Sequence, residues 1–592
     1  MLQKHEGLLE RNRQWTLATA SELARFLVAA TLVVIGLWGI SGVSNGFFSE
    51  TGLIYPSDIS PGFAGFFYSD PLRKFNSLFY HLSYVLGSAI GERGSFVPYQ
   101  VVYAGLWVLR ALLTYLIVRK LMPNHPALAL FAGLFAALHA ADAALNWIGQ
   151  LNQFGFVFLV LLSFFLLLVA MEAERSILTI VWASAAALSA YLALWSHESP
   201  LPVVLAFPFA VALLRRELPL PRLFLASAIY LVPVLVFIYE NAQRYLTSTG
   251  NGTATYQFGV ARQNFSVGAI ASDLWLHIEN SLSPWHWPHA HFISERMSEY
   301  AIALVLVLGA IMLVAPNAVG QAEKASNWPR LVPHLLLFAC VSFGLLVASY
   351  LVILVLNDNR SLWRTEFLPS FAAACVLAAA LNALVALTPR RAARTLLAVV
   401  VFMVVGIFAT FSGVNSTLYF HGLWHRQRVL ISSILSNAPK VADGTLFVLR
   451  NIDPHSDPFG HNMWLDLALR LAYPRTKVAG IYFFADGTSA PGMNIDLGSG
   501  EARLLPGGFP TLFHSATVPP IRDMVVFDYE SATGQAEAVP SGSVKIGDHT
   551  ISTGSYRFCA AVTASKPAPM AVRRYGPITA ANQIACSKEA LQ

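Results

Sequence analysis

Three carboxylates follow the first long apolar run, and their positions would suit acid–base chemistry at a membrane surface. Glu50 lies in the segment GFFSETG, and Asp58 and Asp70 follow within residues 44–98. Partial burial beside the mouth of a membrane span raises the pKa of a carboxyl group toward the range that suits a general base. The stretch therefore predicts an active site at the membrane surface.

A second group of charges, which would suit anion binding, follows a later apolar run. The segment NDNRSLWRTEFLPS holds Arg360 and Arg364 together with the acids Asp358 and Glu366. Arginine is disfavoured in the outer loops of membrane proteins, and its planar guanidinium matches the geometry of a phosphate. We expect these arginines to bind an anion, and the alternative is a polar loop anchored by Trp363.

Polar groups at the ends of two other apolar runs could contribute to the same site. His139 and Asp142 lie at the end of run 126–145, and His197 and Glu198 follow run 177–195. Charged groups at membrane depth are costly and usually mark a site or a cavity. Asp142 is a candidate second acid, and the other three are candidates for a substrate groove. The alternative is that they are solvated helix ends.

Histidines are concentrated in and near one outer loop, residues 240–297, where imidazole could hold zinc. They are His277, His286, His289 and His291. No cysteine or regular finger spacing accompanies them, and Trp285 and Trp287 fit an aromatic belt at the membrane interface. We therefore predict no metal and no cofactor, with a divalent metal as the alternative.

The composition is that of a polytopic membrane protein. Of the 592 residues, 55% are hydrophobic and 12% are charged, which is about half the charged share of a soluble chain. A helix crosses a bilayer with roughly 17 to 25 apolar residues. About eleven runs approach that length, the sixth being short; they are 24–46, 99–121, 126–145, 154–172, 177–195, 201–214, 221–239, 298–315, 331–356, 367–387 and 395–413.

Lysine and arginine predict how these spans are oriented. Basic residues lie in the N-terminal segment, residues 1–23, and near 119–120, 215–222 and 390–394, whereas the short loops near 141–153 and 196–200 hold none. The N-terminus is predicted to be cytoplasmic and the C-terminal region extracytoplasmic, in a bacterial inner membrane. The net charge of +6 reflects this topology and does not indicate nucleic-acid binding.

The fold class predicted is an all-α polytopic membrane bundle, residues 24–438, with a small C-terminal α/β domain, residues 439–592. In that domain TLFVLRNI, KVAGIYFF and DMVVFDY are predicted strands, and NMWLDLALRLAY is a predicted helix. Apolar periodicity predicts surface helices at 72–90 and 266–282, and we predict another at 416–437. Cys559 and Cys586 lie in the exported tail, where a disulfide is permitted.

Several segments, in this order and placed this way relative to the spans, resemble the GT-C glycosyltransferases. The resemblance is strongest to the transmembrane and tetratricopeptide O-mannosyltransferases and their bacterial relatives, without the repeats. It covers about residues 44–200 and 357–375. The segments that carry it are GFFSETG, DPLRKFNSLFYHLSYVLG, FAALHAADAALNWIGQ, WSHES and RTEFLPS.

The resemblance implies transfer of a sugar from a polyprenyl-phosphate donor to a hydroxyl of a glycan, lipid or protein acceptor. Glu50 would be the base, and Arg364, with Arg360 second to it, would bind the donor phosphate. Ser49 stands where the family has a second acid, so Asp58, Asp70 or Asp142 would have to supply that carboxylate.

There are two further departures from the family pattern, and of all three it is Ser49 and the replacement at Asp70 that favour a different function. Asp70 replaces an arginine before Pro71, and His197 replaces a lysine before Glu198. A catalytically inactive membrane scaffold or assembly subunit is therefore the main alternative. A transporter is a weaker one, because its substrate site would lie near the membrane midplane, whereas these polar groups gather at one face.

Overall fold

A computed structural model describes most of the helical part of the chain and parts of the C-terminal region. The described residues are 2–46, 62–67, 73–92, 94–248, 266–324, 328–355, 362, 364–474, 476–491, 494–496, 503–505, 523–539, 543–546 and 549–552. The predictions made for Glu50, Asp58, Asp70, Arg360, Cys559 and Cys586 fall outside these residues and stay predictions.

The chain divides into two compact units, which are described separately. Unit 1 contains Met1–Ile40, Tyr103–Asn146 and Gln153–Thr417, and unit 2 contains Ser41–Val102, Trp147–Asn152 and Leu418–Gln592. The helices in chain order are α1 (Leu2–Gly42), α2 (Leu78–Ala89), α3 (Val97–Leu121), α4 (Pro126–Leu138), α5 (Leu151–Glu172), α6 (Ser176–Ser196), α7 (Leu201–Leu214), α8 (Leu220–Ser248), α9 (Val267–Leu282), α10 (Met297–Lys324), α11 (Trp328–Leu354), α12 (Ser370–Leu387), α13 (Arg391–Asn437) and α14 (Asn462–Ala472).

Each predicted apolar run is matched by one of these helices. Within the described residues, nine helical segments are long and apolar enough to cross a membrane, and α4 and α7 are shorter apolar helices. The first candidate span, Ala20–Gly39, ends where Gly39 takes a φ of +70° and breaks α1. The predicted multi-pass helical architecture is confirmed, although two of the eleven runs form helices too short to cross alone.

Helix α4 lies in the core of unit 1. Every residue from Ala127 to Leu138 is buried, and the helix packs against α10 and α12. A helix that is apolar on all sides either faces lipid or is buried in a protein core, and here the protein itself encloses it. The prediction of a span over 126–145 was wrong at its end, because the helix stops at Leu138 and the residues up to Asn146 form a buried loop.

The last predicted span and the surface helix predicted after it form one element. Helix α13 runs without interruption through residues 391–437. At 1.5 Å per residue it is about 70 Å long, more than twice the roughly 30 Å hydrocarbon core of a bilayer. The prediction of separate elements at 395–413 and 416–437 was therefore wrong.

The surface helices predicted earlier in the chain have unusually polar buried faces. In α2, His81 and Ser83 are buried, whereas Leu86 is 45% exposed. In α9, His277 is buried, whereas Trp275 is 65% exposed. An apolar face turned outward is the pattern of a helix that contacts lipid.

The C-terminal part of unit 2 contains the predicted α/β arrangement. Its main sheet has the strand order β2-β1-β5-β6, with β1 (Thr445–Ile452) parallel to β2 (Val478–Phe484) and to β5 (Asp523–Glu530), and β6 (Gln535–Ala538) antiparallel to β5. Helix α14 connects β1 to β2 and packs on β2, where a Cβ at Gly480 would lie 2.4 Å from Leu469 Cδ1. Two short pairs complete the strands: β3 (Asn494–Asp496) with β4 (Arg503–Leu505), and β7 (Ser543–Ile546) with β8 (His549–Ser552).

Helices α1 and α13 approach closely at a glycine in unit 1. A Cβ at Gly413 would lie 2.8 Å from the carbonyl oxygen of Leu37. The amide of Asn146 lies between the two helices, with Nδ2 3.2 Å from Leu37 O and 2.9 Å from Gly413 O. Small residues allow transmembrane helices to approach in this way, so this glycine fixes where the two helices cross.

We expect Gly413→Val to destabilise the protein, because the added side chain would overlap the backbone of α1. Overpacking of this kind costs about 1–3 kcal/mol. The measurement is thermal unfolding of detergent-purified protein. Gly422→Val is the matched control, since Gly422 lies in the same helix and a Cβ there meets nothing within 4 Å. Equal losses in the two variants would contradict the proposed crossing.

Candidate functional site

The loop that follows α4, residues 139–146, is almost entirely buried in unit 1, so its polar backbone groups require partners within the protein. Side chains from three helices provide those partners for the carbonyl oxygens at the end of α4 and in the loop. Trp107 donates to Ala137 O, Arg110 to Ala136 O and His139 O, Asn280 to Ala141 O, Ser412 to Ala140 O, and Ser416 to Leu145 O. Helices α3, α9 and α13 are thereby joined to the end of α4.

A charged side chain from α3, that of Arg110, lies at the C-terminal end of α4. It is 2% exposed, its Nη2 lies 2.8 Å from Ala136 O, and its Nη1 lies 3.3 Å from Ser370 Oγ. A cation at a helix C-terminus is favoured by the helix dipole and pairs carbonyls that have no partner within the helix. His139 beside it is buried, and burial followed by the charge of Arg110 lowers the pKa of its imidazole to about 3. His139 is therefore a neutral core residue.

Asp142 joins the buried loop to the segment after α11. Its Oδ1 accepts the backbone N–H groups of Ala144 at 2.7 Å and Arg364 at 3.0 Å, and its Oδ2 accepts that of Glu366 at 2.8 Å. Burial raises the pKa of this carboxyl group to about 7, while the three N–H donors act in the opposite direction. In the described structure this side chain holds two loops together.

Glu366 is the centre of a second set of contacts in unit 1. Its side chain is fully buried, and its Oε2 accepts from Tyr350 Oη at 2.5 Å and from Ser281 Oγ at 2.8 Å. Its Oε1 lies 2.8 Å from His277 Nδ1 and 3.2 Å from Thr365 Oγ1. A buried carboxylate is tolerated when its oxygens are paired in this way. The contacts fix residues 364–366 against α9 and α11.

Arg364 is the residue that this framework presents at a surface. Its side chain is exposed, its N–H is bound by Asp142, and its φ is +67°. A left-handed conformation is unfavourable for a residue with a Cβ and persists when surrounding contacts impose it; such residues cluster at functional sites. The backbone around this guanidinium is therefore constrained rather than adaptable.

The remaining predicted groove residues lie in other surroundings. His197 ends α6, stacks on Phe156 with 4.9 Å between ring centroids, and accepts the Ser199 N–H at its Nδ1. Glu198 follows it and is half-buried. Among all the predicted site residues, the contacts described above bring together Asp142 and Arg364, with His139 nearby in the same loop.

The histidines of the outer loop do not converge on one point. His277 binds Glu366, while His286 lies 3.3 Å from the carboxylate of Glu279. His289 has a φ of +61° and, like His291, offers its carbonyl oxygen to the amide of Asn415. Within the described residues, no group of three His, Cys, Asp or Glu side chains is arranged to hold a metal ion.

Two residues that organise this region were missed in the sequence. Arg110 interrupts the apolar run VVYAGLWVLRALLTYLIV, and an ionisable residue inside a span is itself a signal of function or structure. Tyr350 lies in the run before the arginine segment and carries no comparable signal, since an aromatic residue in an apolar run is ordinary. Its contact with Glu366 depends on folding.

We expect Asp142→Asn to lower the thermal stability of the protein. The amide supplies only one acceptor oxygen, and its NH₂ group would face the backbone N–H of Glu366. A buried N–H without a partner costs about 1–3 kcal/mol. Asp142→Ala removes both acceptors and should cost more, whereas the exposed control Glu174→Gln should change little. An Asn variant as stable as the unsubstituted chain would contradict this role.

The loss caused by Asp142→Asn should depend on pH. The folded-state pKa of Asp142, about 7, lies above its usual value of 3.8. The native state therefore binds this proton more tightly, and the resulting stabilisation is complete at low pH and lost as the pH rises through about 7. The gap in unfolding temperature between the two proteins should shrink from about pH 5 to about pH 8. A gap that stays constant would contradict the raised pKa.

Comparisons with known proteins identify no family for the chain directly. No family model matches it, and no curated protein matches it. Two solved structures are similar to it, both of ArnT from Cupriavidus metallidurans. The apo structure shares 16% identity at a TM-score of 0.39, covering 87% of this chain and 94% of that one. The structure bound to undecaprenyl phosphate shares 17% identity at a TM-score of 0.35, covering 77% and 88%. At these values the likeness is weak, and the function proposed below rests on the residues of this chain.

Proposed function

We propose that this chain is a GT-C membrane glycosyltransferase that transfers a sugar from a polyprenyl-phosphate donor to an acceptor hydroxyl on the extracytoplasmic face. The observation that carries the proposal is the constrained, exposed Arg364, whose backbone is bound by the buried carboxylate of Asp142. The order of the family-like segments in the sequence supports the same reaction.

The chemistry requires few protein groups. A polyprenyl-phosphate sugar is already activated, so the enzyme needs a base for the acceptor hydroxyl and a cation for the departing phosphate. A guanidinium held in place before the reaction stabilises developing phosphate charge without reorganising. The contacts of its neighbours support this role for Arg364 at the level of its backbone, since Asp142 accepts the N–H groups of both Arg364 and Glu366.

Asp142 is a positioning residue in this proposal. Both of its oxygens are occupied by backbone N–H groups, and it is buried. A carboxylate engaged in this way is poorly suited to take a proton from an acceptor hydroxyl. Glu50 is therefore our candidate base, on the strength of its place in GFFSETG, with Asp58 and Asp70 as candidates for the second acid.

A catalytically inactive scaffold or assembly subunit is the second candidate function. Ser49 favours it, because this residue stands where the resemblance implies a second acid. The buried contacts of Glu366 and Asp142 would also be needed to hold such a scaffold together. The two functions differ in one respect that can be measured, since only the enzyme consumes a lipid-linked sugar.

Glu50→Gln is expected to abolish transfer while the protein stays folded and inserted. Loss of a general base lowers the rate by about 10²–10⁴-fold. Purified protein is incubated with a panel of labelled polyprenyl-phosphate hexoses and pentoses and with a cell-envelope extract that supplies acceptor hydroxyls, and both released polyprenyl phosphate and labelled product are measured. The control is Glu295→Gln, an exposed carboxylate in the predicted outer loop. Unchanged turnover in Glu50→Gln would exclude this base, and no turnover in the unsubstituted protein would favour the scaffold.

Arg364→Gly is expected to weaken use of the donor without loosening the loop. Glycine accepts a φ of +67° freely, so the variant removes the guanidinium and relieves the backbone. A charge-assisted hydrogen bond contributes about 1.5–3 kcal/mol, which corresponds to roughly 10- to 100-fold in donor binding.

Arg364→Lys should recover part of this loss, because the charge is kept but the planar fork is not. The control is Arg426→Ala, another exposed arginine. Donor kinetics that are normal in Arg364→Gly would exclude the phosphate role.

A further inference from the structure

A cavity of about 440 Å³ lies in unit 1 at the ends of the spans where basic residues are concentrated, the side predicted to be cytoplasmic. It is formed where α3 ends, α4 begins and α7 ends, beside the first turns of α11. Its size falls in the usual range for small-ligand pockets, roughly 300–1,000 Å³. The charged and polar lining residues are Asn124, His125, Arg215, Arg216, Glu217 and His334.

The carboxylates in and around this cavity are already paired. Glu172 lies 2.5 Å from Lys120 Nζ and 2.8 Å from Arg215 Nη1, and Glu217 is paired with Arg215 Nε. These pairs fix the Arg215 side chain, which is largely buried. Lys120, Arg215 and Arg216 carry three positive charges against two negative charges on Glu172 and Glu217. A net positive charge is therefore left in the cavity, with Arg216 exposed to it.

Two histidine side chains also line the cavity. His125 precedes α4 and His334 lies in α11, and both line the same space. Burial, and after it the charge of His334, lowers the pKa of His125. An anion between the two rings would reverse this effect, since a nearby negative charge favours the protonated imidazole. The cavity is thus better suited to an anion than to a cation or a neutral ligand.

The rim of the cavity is apolar. Leu213, which lines it, is 47% exposed, and Pro333, which also lines it, is exposed. Exposed apolar side chains on membrane helices contact acyl chains. Basic pockets between transmembrane helices on the cytoplasmic side bind the headgroups of anionic lipids. A lipid would occupy both the charged interior and the apolar rim, whereas a free anion would use only the interior.

We propose that this cavity binds the phosphate of an anionic phospholipid headgroup through Arg216, His125 and His334, with the acyl chains along Leu213 and Pro333. The site lies at the predicted cytoplasmic end of the spans, so it is separate from the donor site proposed for Arg364. It would provide a fixed lipid contact for the ends of α3, α7 and α11.

The test measures thermal stabilisation of delipidated, detergent-purified protein by three additives: phosphatidylglycerol, phosphatidylcholine and inorganic phosphate. Phosphatidylglycerol is expected to stabilise the protein, with little effect of the other two. In Arg216→Gln/His334→Gln, half-maximal stabilisation should require at least about fivefold more phosphatidylglycerol, for the lost charge of Arg216. Both side chains are exposed, so this variant should fold. The control is Arg175→Gln/Arg390→Gln, exposed arginines at the same predicted end that do not line the cavity.

Each alternative outcome would overturn part or all of the proposal. Equal stabilisation by inorganic phosphate would assign the cavity to a soluble anion and exclude the lipid. Equal stabilisation by phosphatidylcholine would exclude recognition of negative charge. Equal responses of the cavity variant and the control variant would place the lipid elsewhere.

Lipid binding should also strengthen as the pH falls. The groups facing the two histidines are Lys120, Arg215 and Arg216 with the acids Glu172 and Glu217, and both acids are ion-paired. Burial lowers the pKa of His125, so lowering the pH favours the protonated form that binds phosphate. Phosphatidylglycerol should be needed at lower concentration at about pH 5.5 than at about pH 7.5. A pH-independent response would remove the histidines from the site.

Discussion

A backbone that leaves a helix inside a membrane protein must find hydrogen-bond partners from other segments, and this constraint governs unit 1. Helix α4 ends at Leu138, and the buried loop after it exposes almost no surface to solvent. An unpaired peptide group in such surroundings costs on the order of several kcal/mol, as other buried polar groups without partners do. The guanidinium of Arg110, the indole of Trp107, the amide of Asn280 and the hydroxyls of α13 remove that cost.

The same loop determines the geometry of the candidate site. Asp142 could not accept N–H groups from Arg364 and Glu366 unless the buried loop held it opposite them. Glu366 in turn ties that segment to α9 and α11 through His277 and Tyr350. The position of Arg364 thus depends on residues that would never touch a substrate, which is why substitutions in this core should affect stability before they affect chemistry.

The sequence predicted the elements that have one clear apolar periodicity. It did not predict the conformations that depend on contacts between distant segments. Apolar run length located the candidate spans, and strand and helix patterns located β1, α14, β2 and β5. The alanine-rich stretch after His139 has high helix propensity and was predicted as the end of a span, yet the bonds of Asp142 and Asn146 impose a turn there. The proximity of Asp142 to Glu366, 224 residues apart, could not be read from either segment alone.

Two carbonyl oxygens of the buried loop accept hydrogen bonds from residues that come much later in the sequence. Ser412, which binds Ala140 O, is 272 residues further on, and Ser416, which binds Leu145 O, is 271 residues beyond it. At about 5–20 residues per second, a ribosome needs roughly 15–60 s to reach them. During that interval the carbonyl oxygens of Ala140 and Leu145 must be hydrogen-bonded by other groups, such as water or the translocon. The hydrogen bonds of this buried loop can therefore be completed only after α13 has been synthesised. A chain truncated before α13 would leave these carbonyl groups in the core of unit 1 without their partners.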